Sequence, residues 1–265
     1  MKLPSSFRLS CGAIIAAGAL FVAAMPAAET EPSTISAGEL AARMSAARQG
    51  NALIRARLEV RSPDGSKRVL QLQIKERRTA TAADLAYQVQ WPKERKGETV
   101  FLHQDSAGTA RGTVIVPPAP ARVLEASQMN GGLFDSDLSY QDAIENFFAW
   151  KDQAITGSET IDGVECQILE SKPGKSGVSI YARVRSWIDL RRLVPMRIEK
   201  YSAAGQVVRR IDTTYVGRDQ RDRFIPAKLT VRSSSKDSIT EFDGARIEQG
   251  MQFTDRDFTP ETIAK

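Results

Sequence analysis

Histidine and cysteine, the side chains that serve most often as catalytic bases, thiol nucleophiles and zinc ligands, are scarce in this chain, which leaves carboxylate and lysine chemistry open. Among its 265 residues there is one histidine, His103, and there are two cysteines, Cys11 and Cys166. A histidine-based triad has one candidate base, and a paired-histidine metal site has none. His103 follows Val100-Phe101-Leu102 near a strand end, where a surface or half-buried imidazole is expected. Cys166 lies in the apolar run from Gly163 to Leu169, the setting of a buried structural thiol. Asp137 and Asp142, with Ser139 and Tyr140 between them, have the residue types of an acid–base pair. Their spacing suits helix capping better. Ser136, Asp137 and Ser139 would stand at a helix N-terminus, where carboxylates offset the partial positive charge. No G-x-S-x-G nucleophile turn is present. The expectation is a protein that is not an enzyme, with no catalytic residues, no metal and no cofactor.

The first 28 residues contrast with all that follow. Lys2 and Arg8 precede an apolar run from Cys11 to Ala24, and Ala23, Ala24, Ala27 and Ala28 offer small-residue cleavage sites. This is the pattern of an export signal, cleaved after Ala24 or Ala28. The run falls short of the roughly 20 residues that span a bilayer. Cys11 precedes the apolar core, so it is not a lipidation site. The mature chain is therefore expected to be soluble and to work outside the cytoplasm, in a bacterial periplasm. Cys166 would then be its lone cysteine, which excludes an intramolecular disulfide and a thiolate zinc site. Losing Lys2 and Arg8 lowers the formal net charge from +5 to +3. The arginines are spread along the chain and form no phosphate-tracking block, which argues against nucleic acid. A modest attraction to anionic lipid head groups is compatible with this charge.

The elements that must position these groups follow from periodicity. Ser36 and Glu39 form a capping-box pair before a helix with Leu40, Met44 and Ala47 on one face. From Ile54 the period becomes two: Ile54, Ala56, Leu58 and Val60 alternate with charged residues, Ser62-Pro63-Asp64-Gly65 turns the chain, and Leu70, Leu72 and Ile74 return. Leu85, Tyr87, Val89 and Trp91 alternate next, with Pro92 closing the strand, and short strands follow near residues 98–104 and 112–116. Residues 164–171, 179–185, 194–202, 206–215, 225–232 and 238–247 also read as strands. The hairpin-scale connections predict about ten or eleven antiparallel strands in one large sheet that curls. A second helix is predicted over 139–150 and a short one over 259–264. A mature chain this long could form one large β-rich domain or two smaller ones.

Two or three short helices cannot cover the apolar face of such a sheet. Either the sheet folds onto itself, or it curls around the helices and leaves a hollow. The hollow would be lined by Leu58, Leu70, Leu72, Tyr87, Val89, Trp91, Ile180, Met196 and Ile198, and would suit an acyl chain; a fully packed core fits the same periodicity. The irregular linker from Pro117 to Asp137 carries Met129, Leu133 and Phe134 beside Gly131 and Gly132. These residues either fold over the cavity mouth and move away again, or plug the core.

The run Phe134-Asp135-Ser136-Asp137-Leu138-Ser139-Tyr140-Gln141-Asp142 resembles the G-S-D-F-S-Y-E-D-L segment of periplasmic outer-membrane lipoprotein-sorting proteins of the LolA-like superfamily. Trp187-Ile188-Asp189, Val194-Pro195-Met196-Arg197-Ile198-Glu199-Lys200-Tyr201 and Gly205-Gln206-Val207 resemble that family's W-I-D … P-x-K-x-E-x-Y-D-x-x-G run. Ile225-Pro226, Phe253 and Phe258-Thr259 agree in order and spacing. Asp135 replaces a glycine, Leu138 replaces a phenylalanine, and Met196-Arg197 shifts the usual basic position. The resemblance implies an α+β fold, a single LolA/LolB-like domain over residues 29–265. Its large curved antiparallel sheet would be an incomplete β-barrel closed by a few short helices. It also implies a periplasmic carrier that shields the acyl chains of a lipoprotein or lipid between inner and outer membrane. Its partners would be that cargo, an inner-membrane transporter and an outer-membrane acceptor, with transient membrane contact. A lipid-sensing regulatory or adaptor protein of the same fold is the alternative.

Overall fold

The computed structural model describes residues 35–174 and 179–260; the export-signal reading lies outside them, as does most of the closing helix expected over 259–264. In chain order the elements are α1 (Ala37–Ala47), β1 (Gly50–Arg61), β2 (Lys67–Arg78), β3 (Ala83–Trp91), β4 (Thr99–Gln104), β5 (Ala110–Ile115), β6 (Arg122–Leu124), α2 (Tyr140–Ile144), β7 (Asp152–Ile161), β8 (Val164–Lys172), β9 (Arg183–Asp189), β10 (Val194–Tyr201), β11 (Val207–Arg218), β12 (Phe224–Ser233) and β13 (Ile239–Gln249). The strands form a single 13-stranded sheet in the order β6-β5-β4-β3-β2-β1-β13-β12-β11-β10-β9-β8-β7. Each pair is antiparallel, and the order does not close. The first and last strands meet at its centre, so two meanders are joined edge to edge through β1 and β13.

Local chemistry sets the register. The β1–β2 turn is closed by Ser62 N–H donating to Ser66 O at 2.9 Å, and by Ser66 N–H donating to Asp64 Oδ1 at 2.9 Å. Gly65 takes φ 82° there, a region that costs a residue without Cβ nothing. That turn pairs Leu58 with Leu70, Ala56 with Leu72 and Ile54 with Ile74, which gathers the apolar phase of both strands on one face.

Two strands went unread in the sequence. β7 is mostly exposed and rich in Thr, Ser, Gly and Glu, so it has no apolar alternation, and β6 spans only three residues. The helix expected over 139–150 is α2 alone, followed by a break and a 3₁₀ turn at Phe147–Ala149. The strand expected over 179–185 begins at Arg183, which leaves Ile180 in a bend.

Three buried clusters result. The largest joins the inner face of β1–β4 to Leu124, Met129, Leu133, Phe134 and Ile144. A second packs α1, Phe147 and Phe148 on Leu169, Val184 and Ile188. A third gathers Ile161, Cys166, Trp187, Val194 and Met196. Cys166 is fully buried, as its apolar run foretold, and burial pushes its thiol up.

Candidate functional site

The stretch from Leu124 to Trp150 crosses the inner face of the first meander without joining the sheet beyond β6. Its pairing is limited to one bridge, between Gly132 and Ser139. Within it, 3₁₀ turns at Ala126–Asn130 and Leu133–Asp135 alternate with α2. Phe134 and Asp135 take φ 52° and 64° in succession. This tight path drives Met129, Leu133 and Phe134 down onto Leu58, Leu70, Leu72, Tyr87 and Val89. A Cβ at Gly132 would collide with the Ser136 carbonyl oxygen, so the fold of the crossing requires glycine there.

Polar side chains fasten this crossing segment. Ser139 caps α2 by accepting from Asp142 N–H at 3.0 Å, and Asp142 Oδ2 accepts from Ser139 N–H at 2.9 Å. Asp142 has a second role. In the sheet, Lys200 of β10 and Arg209 of β11 are direct cross-strand partners, two like charges that repel. Asp142 lies against both: Oδ1 is 2.8 Å from Lys200 Nζ and Oδ2 is 2.9 Å from Arg209 Nε. Tyr181 Oη donates to Oδ1 at 2.7 Å. Lys200 is 1% exposed and Asp142 is 9% exposed, so the group is shut off from solvent. Burial works to raise the Asp142 carboxyl, but Lys200 and Arg209 outweigh it and hold it well below the usual carboxylate range. Burial, and then the Asp142 charge, push the Tyr181 hydroxyl up, which keeps it a donor. Glu145 is also enclosed. Burial pushes its carboxyl up, and Lys200 at 3.8 Å offsets only part of that.

Asp137 does not cap the helix. Its carboxylate accepts from Thr240 Oγ1 at 2.7 Å and from Ser238 Oγ at 2.9 Å, which ties the segment to β13 instead. Ser136 likewise turns inward, its hydroxyl donating to Leu138 O at 3.3 Å. At the far end Arg78 donates to the carbonyls of Ala143 and Ile144 at 2.8 and 2.9 Å, and Arg48 to that of Glu145 at 3.2 Å.

Of the twelve apolar residues expected to line a hollow, cover its mouth or plug the core, eight meet in the largest cluster: Leu58, Leu70, Leu72, Tyr87, Val89, Met129, Leu133 and Phe134. Trp91 does not join them and is 50% exposed. A bulge inserts Gln90, so Trp91 pairs with Gln71 and faces outward while Val89 still pairs with Leu72. Ile180 is 41% exposed because the strand assumed to carry it starts later; Tyr181 takes the buried place. Another bulge, around Met196, puts that residue in the third cluster while Ile198 packs against the second. A cleft of about 550 Å³ opens elsewhere, where the ends of α1 and α2, the β2–β3 turn and the β4–β5 turn converge. None of the twelve lines it.

Asp189 accepts from Arg191 N–H at 2.9 Å, with Trp187 packed in the third cluster. His103 is exposed and bonds through Nδ1 to Asp84 Oδ1 at 2.7 Å. Lys200, Arg209 and Arg78 were missed as a group. The one available signal was Lys200 two residues beyond Ile198, a charge in an apolar phase that demands a buried counter-ion.

Comparison with solved structures shows the same fold at low sequence identity. A DUF1329 family protein from Desulfovibrio piger superposes with a TM-score of 0.78 at 17% identity, covering 86% of this chain and 97% of that one. A domain named as an outer membrane lipoprotein-sorting protein, from Vibrio parahaemolyticus, gives 0.75 at 14% identity, covering 85% and 97%. A LolA superfamily protein from Nitrosomonas europaea gives 0.68 at 15% identity, covering 86% and 100%. A search of curated protein sequences finds no match. Residues 86–265 match the model of a family described as "Uncharacterized protein", and the chain, whose fold is LolA-like, belongs to that family.

Proposed function

We propose that this protein is a periplasmic carrier that shields the acyl chains of a lipoprotein or lipid during transfer between the two membranes. The supporting observation is the way the inner face of the first meander is covered. Met129, Leu133, Phe134 and Ile144 occupy it, yet they belong to a segment fastened by side chains and almost free of sheet pairing. Swinging that segment aside would uncover an apolar groove floored by Leu58, Leu70, Leu72, Tyr87 and Val89. An acyl chain taking its place would gain ~0.8 kcal/mol per CH₂ group removed from water. The carrier needs no covalent step. Binding has only to favour the open arrangement over the closed one, with an inner-membrane transporter and an outer-membrane acceptor biasing the exchange. The LolA-like fold and the name carried by the Vibrio relative agree with this reading.

The test is mass spectrometry of a solvent extract from protein purified without detergent, paired with uptake of labelled acyl lipid from vesicles. A stoichiometric acylated species is expected, and Met129→Ala with Leu133→Ala, which thin the cover, should raise uptake. A clean extract together with no uptake by any variant would sink the carrier and bring the lipid-sensing regulatory or adaptor reading forward.

A further inference from the structure

The cleft beside α2 has a composition unlike the apolar groove. Its walls are apolar at Ala82, Ala83, Ala149 and Trp150, and Arg48 and Arg78 also line it. Its volume of about 550 Å³ lies inside the roughly 300–1,000 Å³ range of small-molecule sites.

The two guanidinium groups differ in how they are used. Arg78 is committed: it is ion-paired with Glu76 and donates to the carbonyls of Ala143 and Ile144. Arg48 donates once, to Glu145 O at 3.2 Å, and no carboxylate forms an ion pair with it among the described residues. Glu76 and Glu145 attract it only from farther off, while burial and the neighbouring Arg78 push its guanidinium down to about 10. It therefore stays charged at neutral pH with donors to spare. Lys151 adds a third cation to the lining, against Asp152 as its single carboxylate. In the same wall Asn146 Oδ1 is buried and accepts no hydrogen bond among the described residues. Part-buried guanidinium donors of this kind fit a group that brings its own negative charge, while the Asn146 oxygen calls for a hydroxyl donor such as a singly protonated phosphate carries.

We propose that this cleft binds a carboxylate or phosphate group through Arg48, as the head-group site of an anionic amphiphile. The apolar walls at Ala82, Ala83 and Trp150 receive the first carbons of its chain. Ala83 also belongs to the largest cluster, so a chain anchored here leads toward the groove that the crossing segment covers. The tail depends on the carrier reading; the anion site does not.

The experiment is titration of the full protein with decanoate, decyl phosphate, decanol and inorganic phosphate, followed by calorimetry and by tryptophan emission. Wild type is compared with Arg48→Gln, Arg48→Lys and Ala107→Trp. Ala107 is exposed on the β4–β5 turn that lines the cleft, so its variant narrows the site without disturbing the core. Circular dichroism establishes folding of each variant. Decanoate and decyl phosphate should bind at least tenfold more tightly than decanol. Arg48→Gln and Ala107→Trp should each weaken them tenfold or more, with Arg48→Lys intermediate. Inorganic phosphate binding as tightly as decyl phosphate, and lost in Arg48→Gln, would support the anion site and assign it to a free anion rather than a lipid. Equal binding of decanol and decanoate, or an unchanged Arg48→Gln and Ala107→Trp pair, would overturn the site while acyl extraction still supported the carrier. No binding of any probe would also overturn it, and a clean extract besides would remove both.

Discussion

Asp142 shows how much can depend on one carboxylate. It completes the cap of α2 and separates two cations that the strand register forces together. Replacing it by Asn keeps the volume, strips buried Arg209 of its counter-charge and leaves Lys200 only Glu145 at 3.8 Å. Removing one partner from a buried pair costs roughly 3–5 kcal/mol. Asp142→Asn should therefore lower stability by about that amount in a urea titration. Lys200→Met should cost less, because Arg209 still pairs with Asp142. The acid limb carries a second signature. A carboxyl held below its ordinary value near ~4 contributes stability that is complete above that pH and is lost as pH falls toward the folded value. Wild-type stability should fall on acidification below about pH 4, and Asp142→Asn should flatten this decline. An unchanged acid limb in the variant would show that other carboxylates govern it. Glu145, raised by burial, acts in the opposite sense, its contribution growing as pH falls.

The crossing segment is the element on which the carrier reading turns, and its tight corner accounts for the glycine of the sorting-protein pattern that this chain replaces. Asp135 stands where that pattern has glycine, and its φ is 64°. Aspartate tolerates this region, though a left-handed residue costs roughly 1–2 kcal/mol. Its carboxylate lies 3.5 Å from Arg68 and 3.8 Å from Arg95 in exposed ion pairs of small value. Asp135→Gly relieves the backbone and loses those pairs, so thermal stability should change by less than about 1 kcal/mol. Gly132→Ala should instead cost about 1–3 kcal/mol as the backbone moves off Ser136, and should speed proteolysis within the segment. A tolerated Gly132→Ala would mean that the corner relaxes easily. Element by element, alternation was enough to place most strands, and Ser139 marked the start of α2 but nothing marked its end after Ile144. Bulges were not readable: Gln90 and Met196 obey the same alternation as their neighbours, yet each shifts a register and turns Trp91 or Met196 to another face. The counter-ions of Asp142 were hidden because they sit on strands far along the chain, where spacing carries no information about proximity.

At the scale of the whole molecule, the two meanders depend on one seam. β1 pairs along nearly its full length with β13, while β6 and β7 form the free edges. Amide exchange should accordingly be slowest in β1 and β2 and fastest in β6, which is short and holds exposed Val123. Faster exchange in β1 than in β6 would mean that the seam opens before the edges fray. The seam also sets an order of events for a chain made from one end. β1 is among the first strands to leave the ribosome, and its partner is the last strand described. Throughout synthesis one margin of the early meander stays unsatisfied, with Leu58 and Val60 beside its bare amides and carbonyls, a template for wrong pairing. Native assembly therefore waits on β13. A chain that loses β13 to early termination would keep every strand of its first half and still have no partner for the strand at its heart.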